Sequence, residues 1–258
     1  MPKPIIHVPK SVIWKHTELK QIKAKEKKIS SFNKKTPPIY KKKVSETAID
    51  SFFEKLENGT FRKFFNKRVK NEARKSKDEL WVKEGKIIPN KQRIVFPVTK
   101  SVLGTVRIFT NKHNLDFYLS SANRFYDKVE ERNNHFENFT IQPINILGIK
   151  KLLSGKYAIL EKVYPTQSAF EYISIDKKDI EENRYHKFTD NFLKNKDPKI
   201  NSQEFYTQLK KAVKEYDSTF KNIADMFSGN ILVLDYNPKT KKFLFGPIDF
   251  AGSTESLP

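Results

Sequence analysis

Two stretches decide how this chain is read: Ile223-Ala224-Asp225-Met226-Phe227-Ser228-Gly229-Asn230-Ile231-Leu232-Val233, and further on Pro247-Ile248-Asp249-Phe250-Ala251-Gly252. Asp225 and Asn230 enclose four residues. Ile231-Leu232-Val233-Leu234 is a short apolar run of strand character. Asn237-Pro238-Lys239-Thr240 reads as a turn, after which Phe243-Leu244-Phe245 returns as a second strand. Such a hairpin carries Asn230 and Asp249 to one place. Upstream, Phe205, Leu209, Ala212, Val213, Tyr216 and Phe220 repeat at helical spacing, which predicts a helix over 203–221 capped by Ser202. A long helix running into Asp225 would be a rigid support for the loop that follows.

The Asp-x-x-x-x-Asn loop, the apolar strand and the Asp-Phe pair resemble the protein-kinase-like superfamily over residues 80–252. The resemblance implies an α+β fold of two lobes, an antiparallel-sheet N-lobe over a truncated, mainly helical C-lobe. It implies ATP and Mg²⁺ as cofactors, with Asp225 as catalytic base and Asn230 and Asp249 as metal ligands. Amide and carboxylate oxygens are hard donors suited to Mg²⁺ or Mn²⁺. The chain departs from the family pattern at Ile223-Ala224, where His-Arg or His-Gly is usual, and at Ala251, which takes the place of the motif's Gly. The sequence ends at Pro258, so the expected lower lobe lacks an activation segment, its Ala-Pro-Glu anchor and a large helical subdomain. In these respects it is similar to the minimal effector kinases that enteric pathogens inject into host cells.

Family spacing carries the resemblance into the N-lobe. With Glu161, in Tyr157-Ala158-Ile159-Leu160-Glu161-Lys162-Val163, taken as the hinge, the phosphate-binding Lys falls at Lys112 and its partner at Glu131. Lys100 and Glu130 are the alternatives. Adenine would be bound through backbone groups of Glu161–Val163. Single glycines, Gly85 and Gly104, mark the turns of this region. A loop poor in glycine brings few backbone N–H groups to a triphosphate.

Composition sets wider bounds. Fifty Lys and Arg against 30 Asp and Glu give a formal charge of +20, which favours anionic partners: nucleotide, nucleic acid, an acidic protein or a membrane surface. Residues 1–44 alone carry 13 Lys against 2 Glu, and show neither helical nor strand period. They are expected to form an extended or disordered basic arm. There is no cysteine, so disulfides and thiolate zinc sites are excluded. The five His, at positions 7, 16, 113, 135 and 186, show no zinc-binding spacing. No apolar stretch reaches the ~20 residues of a transmembrane helix, and the N-terminus lacks a signal-peptide core. Cytoplasmic synthesis is the expectation, with export into a host cell following a route without a cleaved signal.

Between arm and tail the expected order is a helical extension over 45–78, an N-lobe over 79–163 and a minimal C-lobe over 164–258. Ser45 caps a helix over 46–57 with Ile49, Phe52, Phe53 and Leu56 on one face, and Asn58-Gly59 stops it. A basic helix with Phe61, Phe64 and Phe65 follows at 60–75. Strands are expected at 79–82, 93–98, 105–110, 140–147 and 157–163. A helix with Phe117, Leu119, Phe125 and Val129 apolar spans 117–134. These readings point to a minimal Ser/Thr protein kinase, acting on a protein substrate with a partner protein as activator. Two other classes compete with it. A pseudokinase or basic nucleic-acid-binding protein would use the +20 charge, and a small-molecule phosphotransferase would share the Asp-x-x-x-x-Asn loop.

Overall fold

The computed structural model describes residues 17–32, 43–60, 87–88, 93–162, 201–223, 226, 230–247 and 250, which form an α+β fold. The elements are α1 (Thr17–Phe32), α2 (Glu46–Glu57), β1 (Ile87–Ile88), β2 (Arg93–Thr99), β3 (Val102–Phe109), α3 (Lys112–Glu131), β4 (Phe139–Ile141), β5 (Ile146–Lys151), β6 (Tyr157–Lys162), α4 (Ser202–Phe220), β7 (Ile231–Asn237) and β8 (Lys242–Pro247). A five-stranded antiparallel sheet has the order β1-β2-β3-β6-β5, and a three-stranded sheet the order β4-β8-β7. The expected strand at 79–82 and helix at 60–75 lie outside the described residues.

Side chains alternate across β3, and the alternation assigns a helix to each face of the larger sheet. Val106 and Ile108 point to one side, where with Phe96, Ala158 and Leu160 they bury Ile49, Phe52 and Phe53 of α2. Burying a Phe of this kind contributes about 2 kcal/mol. Close approach is needed here: a Cβ on Gly148 of β5 would lie 2.8 Å from Ile49 Cγ2. Phe109 and Ile159 point to the other side, into the large core built on α3.

Local chemistry fixes the ends of α2 as the sequence predicts. Ser45 Oγ accepts from the Ala48 N–H at 3.2 Å, and Gly59 takes a φ of +75° just past the helix. Ser45→Ala should lower stability by about 1 kcal/mol, read as a lower urea midpoint at unchanged slope. Ser45→Asp, which keeps an acceptor, should not. Equal losses in the two variants would refute the cap.

α3 starts earlier than expected, because Asn111 rather than a later residue caps it: Asn111 Oδ1 accepts from the Asn114 N–H at 2.9 Å. Its buried stripe is Leu115, Tyr118, Leu119, Ala122, Phe125, Tyr126 and Val129. Phe117, one of the apolar residues of the expected helix, is 47% exposed. A similar shift of one residue occurs at α4, where Asn201 replaces Ser202 as cap and accepts from the Gln203 and Glu204 N–H groups. The α4 residues Phe205, Leu209, Ala212, Val213, Tyr216 and Phe220 are all in the large core, as their spacing predicts.

Two expectations are corrected. The segment 140–147 is not one strand. Phe139–Ile141 pairs in parallel with β8, while Ile146 begins β5 of the other sheet. Pro143 and Asn145, with a φ of +63°, turn the chain between them, and the Asn134 side chain bonds both the N–H and C=O of Ile141. One segment therefore ties the two sheets together.

Residues 17–32 are not an extended arm but a helix, α1, packed along α3. Leu19, Ile22 and Ile29 are buried, and the fourth position of that stripe is taken by Glu26. Lys25 reaches Asp127 at 2.5 Å and Lys28 pairs with Glu130, so α1 lysines meet α3 acids. With only three apolar residues on the buried face and a carboxylate in the fourth place, the period was hidden among lysines. Residues 1–16 and 33–42 lie outside the described residues.

Candidate functional site

The described residues that follow α4 are held by hydrogen bonds. The Ile223 N–H donates to the Phe220 C=O at 2.9 Å, and the Met226 N–H to the Ile223 C=O at 3.1 Å. Arg124 of α3 reaches the Asn222 C=O at 3.2 Å. Met226 is buried, with the Tyr216 hydroxyl 3.7 Å from its sulfur. Asp225 itself lies outside the described residues, as do Asp249 and Val163.

Asn230 is buried immediately before β7. The hairpin expected from the sequence is present: Ile231 faces Pro247, and a bulge shifts the register between Val233 and Asp235. Asn237 Oδ1 accepts from the Lys239 and Thr240 N–H groups and closes the turn. The start of β7, which Asn230 precedes, therefore lies beside the end of β8, two residues before Asp249 in the sequence. Asn230 supplies an amide, a hard donor of the kind Mg²⁺ takes. No group of three His, Cys, Asp or Glu converges on a metal position among the described residues.

Lys112 and Glu131 are not a pair. They are the first and last residues of the same 20-residue helix, which separates them by roughly 28 Å at the α-helical rise. Lys112 is exposed and bonded to Asp116 at 2.7 Å, and that bond holds its pKa above the ordinary value. Glu131 is exposed and bonded to Lys128 at 3.0 Å. The alternatives are no closer to the expected role: Lys100 is exposed in the turn between β2 and β3, and Glu130 pairs with Lys28.

Glu161, expected to mark the hinge through its backbone, has a side chain engaged within the sheet. Its side chain is buried against Arg107 of β3, whose Nε lies 3.1 Å from both carboxylate oxygens, and the Tyr118 hydroxyl donates to Oε1. The Arg107 guanidinium also lies over the Tyr118 ring at 5.2 Å. The adjoining Lys162 N–H is engaged by the Asn145 C=O. The buried cation–carboxylate pair of the sheet is thus Arg107–Glu161. An Arg amid Thr105-Val106-Arg107-Ile108-Phe109 was a legible signal: a charge within a strand buried on both faces needs a partner.

Phe250, directly after Asp249, is fully buried against α3. Its ring centroid is 5.6 Å from that of Tyr118, 5.5 Å from Phe125 and 5.4 Å from Tyr126. The Tyr126 hydroxyl donates to Glu26 Oε1 at 3.1 Å and accepts from the Ile144 N–H at 3.0 Å. Glu26 Oε1 accepts further from the N–H groups of Asn145 and Ile146. Burial raises the Glu26 carboxyl to about 8, against the opposing effect of these hydrogen bonds and of Lys23. Neither Tyr118, Tyr126 nor Glu26 was singled out from the sequence.

Compared with known proteins, the chain matches no family model, no curated protein and no solved structure. Among the described residues no helix is long and apolar enough to cross a membrane.

Proposed function

We propose that the chain is an ATP-dependent phosphotransferase of bilobal, protein-kinase-like form, acting on a Ser or Thr hydroxyl of a protein substrate. The observation that carries this reading is the β7–β8 hairpin. Its register sets the amide-bearing Asn230 beside the strand end that leads to Asp249. Three further features support it. Strand β3, helix α3 and strands β5 and β6 follow in that order, with β3 and β6 adjacent in the sheet. A buried cation–carboxylate pair, Arg107–Glu161, occupies that sheet, where a kinase carries its Lys on the third strand. A long helix, α4, leads directly into the loop containing Asp225.

In this reading Asp225 orients the acceptor hydroxyl and takes its proton as the new oxygen–phosphorus bond forms and the bond from the γ-phosphorus to the β–γ bridging oxygen breaks, ADP leaving. Asn230 and Asp249 would supply oxygens to hold Mg²⁺. When bound, the ion would neutralise charge on the β- and γ-phosphates.

Incubation of the full chain with Mg²⁺ and γ-labelled ATP, with self-labelling and an acidic test protein as acceptors, should give label on Ser or Thr. Asp225→Ala and Asp249→Ala should each reduce the rate by about 10²-fold or more, with circular dichroism unchanged. Undiminished labelling in both variants would overturn the site assignment. Failure of the wild-type chain to bind or turn over Mg–ATP would overturn the phosphotransferase reading itself.

A further inference from the structure

The side of α4 turned away from the core is basic toward its C-terminal end. Thr207, Lys210, Lys211, Lys214, Ser218 and the capping residue Lys221 are all exposed. At 3.6 residues per turn they fall within an arc of roughly 100°, and Lys210 to Lys221 spans roughly 16 Å. The opposite side is fixed by Phe205, Leu209, Tyr216 and Phe220 in the large core, so the helix cannot turn this face inward. None of the four lysines has a carboxylate partner among the described residues. By contrast, Lys25 and Lys28 of α1 and Lys112 and Lys128 of α3 each meet one. The acids of α4 are engaged off the stripe. Glu204 pairs with Lys241 at 2.6 Å, and Glu215 accepts from the Glu137 and Asn138 N–H groups. Asp217 is partly buried at its border and forms no ion pair with these lysines. Lys210 and Lys214 stand one turn apart, a spacing at which like charges repel, and an anion laid along the stripe would remove that repulsion.

We propose that this stripe binds the phosphate backbone of a DNA duplex without regard to sequence. Its chemistry selects that partner over others. Lysine is a point charge suited to phosphate, without the planar fork that reads a guanine edge. The stripe holds no aromatic ring on which an unpaired base could stack. Protein interfaces are depleted in Lys and enriched in aromatic residues and Arg, none of which lies on it. A bilayer spreads its charge over a plane, whereas these charges lie along a line, and the apolar side of α4 is held in the core rather than free to enter lipid. RNA duplexes are recognised in part through their 2′-hydroxyls, but Thr207 and Ser218 donate their own hydroxyls to the Gln203 and Glu215 C=O groups, at 2.9 and 2.8 Å. Both residues are small, uncharged spacers that let a phosphate chain approach the lysines. The surface is independent of the phosphotransferase reading and stands or falls without it.

The test titrates the full chain against a fluorescent DNA duplex of ~20 base pairs between about 50 and 200 mM salt. A stripe variant carries Lys210→Gln, Lys211→Gln, Lys214→Gln and Lys221→Gln. A control variant of the same net charge carries Lys20→Gln, Lys27→Gln, Lys43→Gln and Lys55→Gln, all exposed positions elsewhere. Circular dichroism checks that both fold. Each phosphate contact contributes about 0.9 to the slope of log K against log salt. Over this range the stripe variant should therefore lose about 10²-fold less affinity than the wild type, and the control should keep most of the wild-type slope. If the stripe variant does not fold, Lys210→Gln/Lys214→Gln and Lys211→Gln/Lys221→Gln should each remove about half of the difference. Equal slopes in the stripe and control variants overturn the site, since net charge alone then accounts for binding. Absence of duplex binding by the wild-type chain at the lowest salt overturns it as well. Phosphatidylserine vesicles and polyglutamate are titrated beside the duplex, and a larger effect of the stripe substitutions on either of them overturns the choice of partner.

Discussion

Glu161→Leu should be among the most destabilising single substitutions in the described part of the chain, at about 3–5 kcal/mol. The carboxylate is 2% exposed and presents both oxygens to Arg107 Nε at 3.1 Å. Removing one partner of a buried ion pair costs far more than the pair contributes, because the remaining charge has lost solvent as well as its neighbour. Arg107→Met should be costly for the same reason. The double variant Arg107→Met/Glu161→Leu, which puts apolar volume in both places, should be less destabilised than the sum of the two. Urea unfolding of the four proteins measures this directly. Additive losses would show that the two side chains contribute separately and that the pair is not the unit of stability. Tyr118 should report the same event, since Glu161→Leu also removes the acceptor of its hydroxyl.

The second large effect is a dependence of stability on pH traceable to Glu26. Burial raises its carboxyl to about 8 in the folded chain, whereas an unfolded Glu titrates near ~4.3. Between those values the unfolded chain has released a proton that the folded chain keeps. Raising the pH therefore favours unfolding, by up to about 1.4 kcal/mol per pH unit. The contribution is complete below the unfolded value and is lost as pH rises through about 8. The groups facing Glu26 come from α1, α3 and the segment between β4 and β5. Lys23 of α1 is itself lowered by burial, Tyr126 belongs to α3, and the β4–β5 segment offers only the N–H groups of Asn145 and Ile146. Glu26→Gln keeps an oxygen acceptor and cannot ionise, so its urea midpoint should vary less between pH 5 and pH 8.5 than that of the wild type. Parallel pH profiles for the two proteins would sink this account. Tyr126 joins Glu26 to the ring of Phe250.

The legible parts of the chain share a property: each is specified by residues close together in sequence. α4 was readable because six apolar residues repeat at helical spacing, and every one of them is in the core. α2 carried its own cap and stop in Ser45 and Gly59. The β7–β8 hairpin was readable because its turn residue Asn237 bonds to groups two and three residues ahead. The start of α4, Asn201 for Ser202, was a single-residue choice between two good capping residues. Asn230 could be picked out on the same local basis, by its spacing from Asp225 and its place before an apolar run.

What failed depended on distant partners. Lys112 and Glu131 were matched by family spacing with the helix expected from 117; Asn111 caps it, so it begins five residues earlier at Lys112 and puts both on one rod. The α1 stripe was overlooked because Glu26 looks like a surface residue until Tyr126, Asn145 and Ile146 are brought to it.

The sequence by itself determined the helices α2 and α4, the β7–β8 hairpin that Asn230 precedes, and a strong positive charge. Those depend on torsional preference, capping and apolar period, all of which act over a few residues. Only the tertiary structure decided that Arg107 belongs with Glu161, 54 positions away, and Tyr126 with Glu26, 100 positions away. A charge is worth burying only where its partner also arrives, and the arrival is set by sheet order and helix packing rather than by any neighbour in the chain.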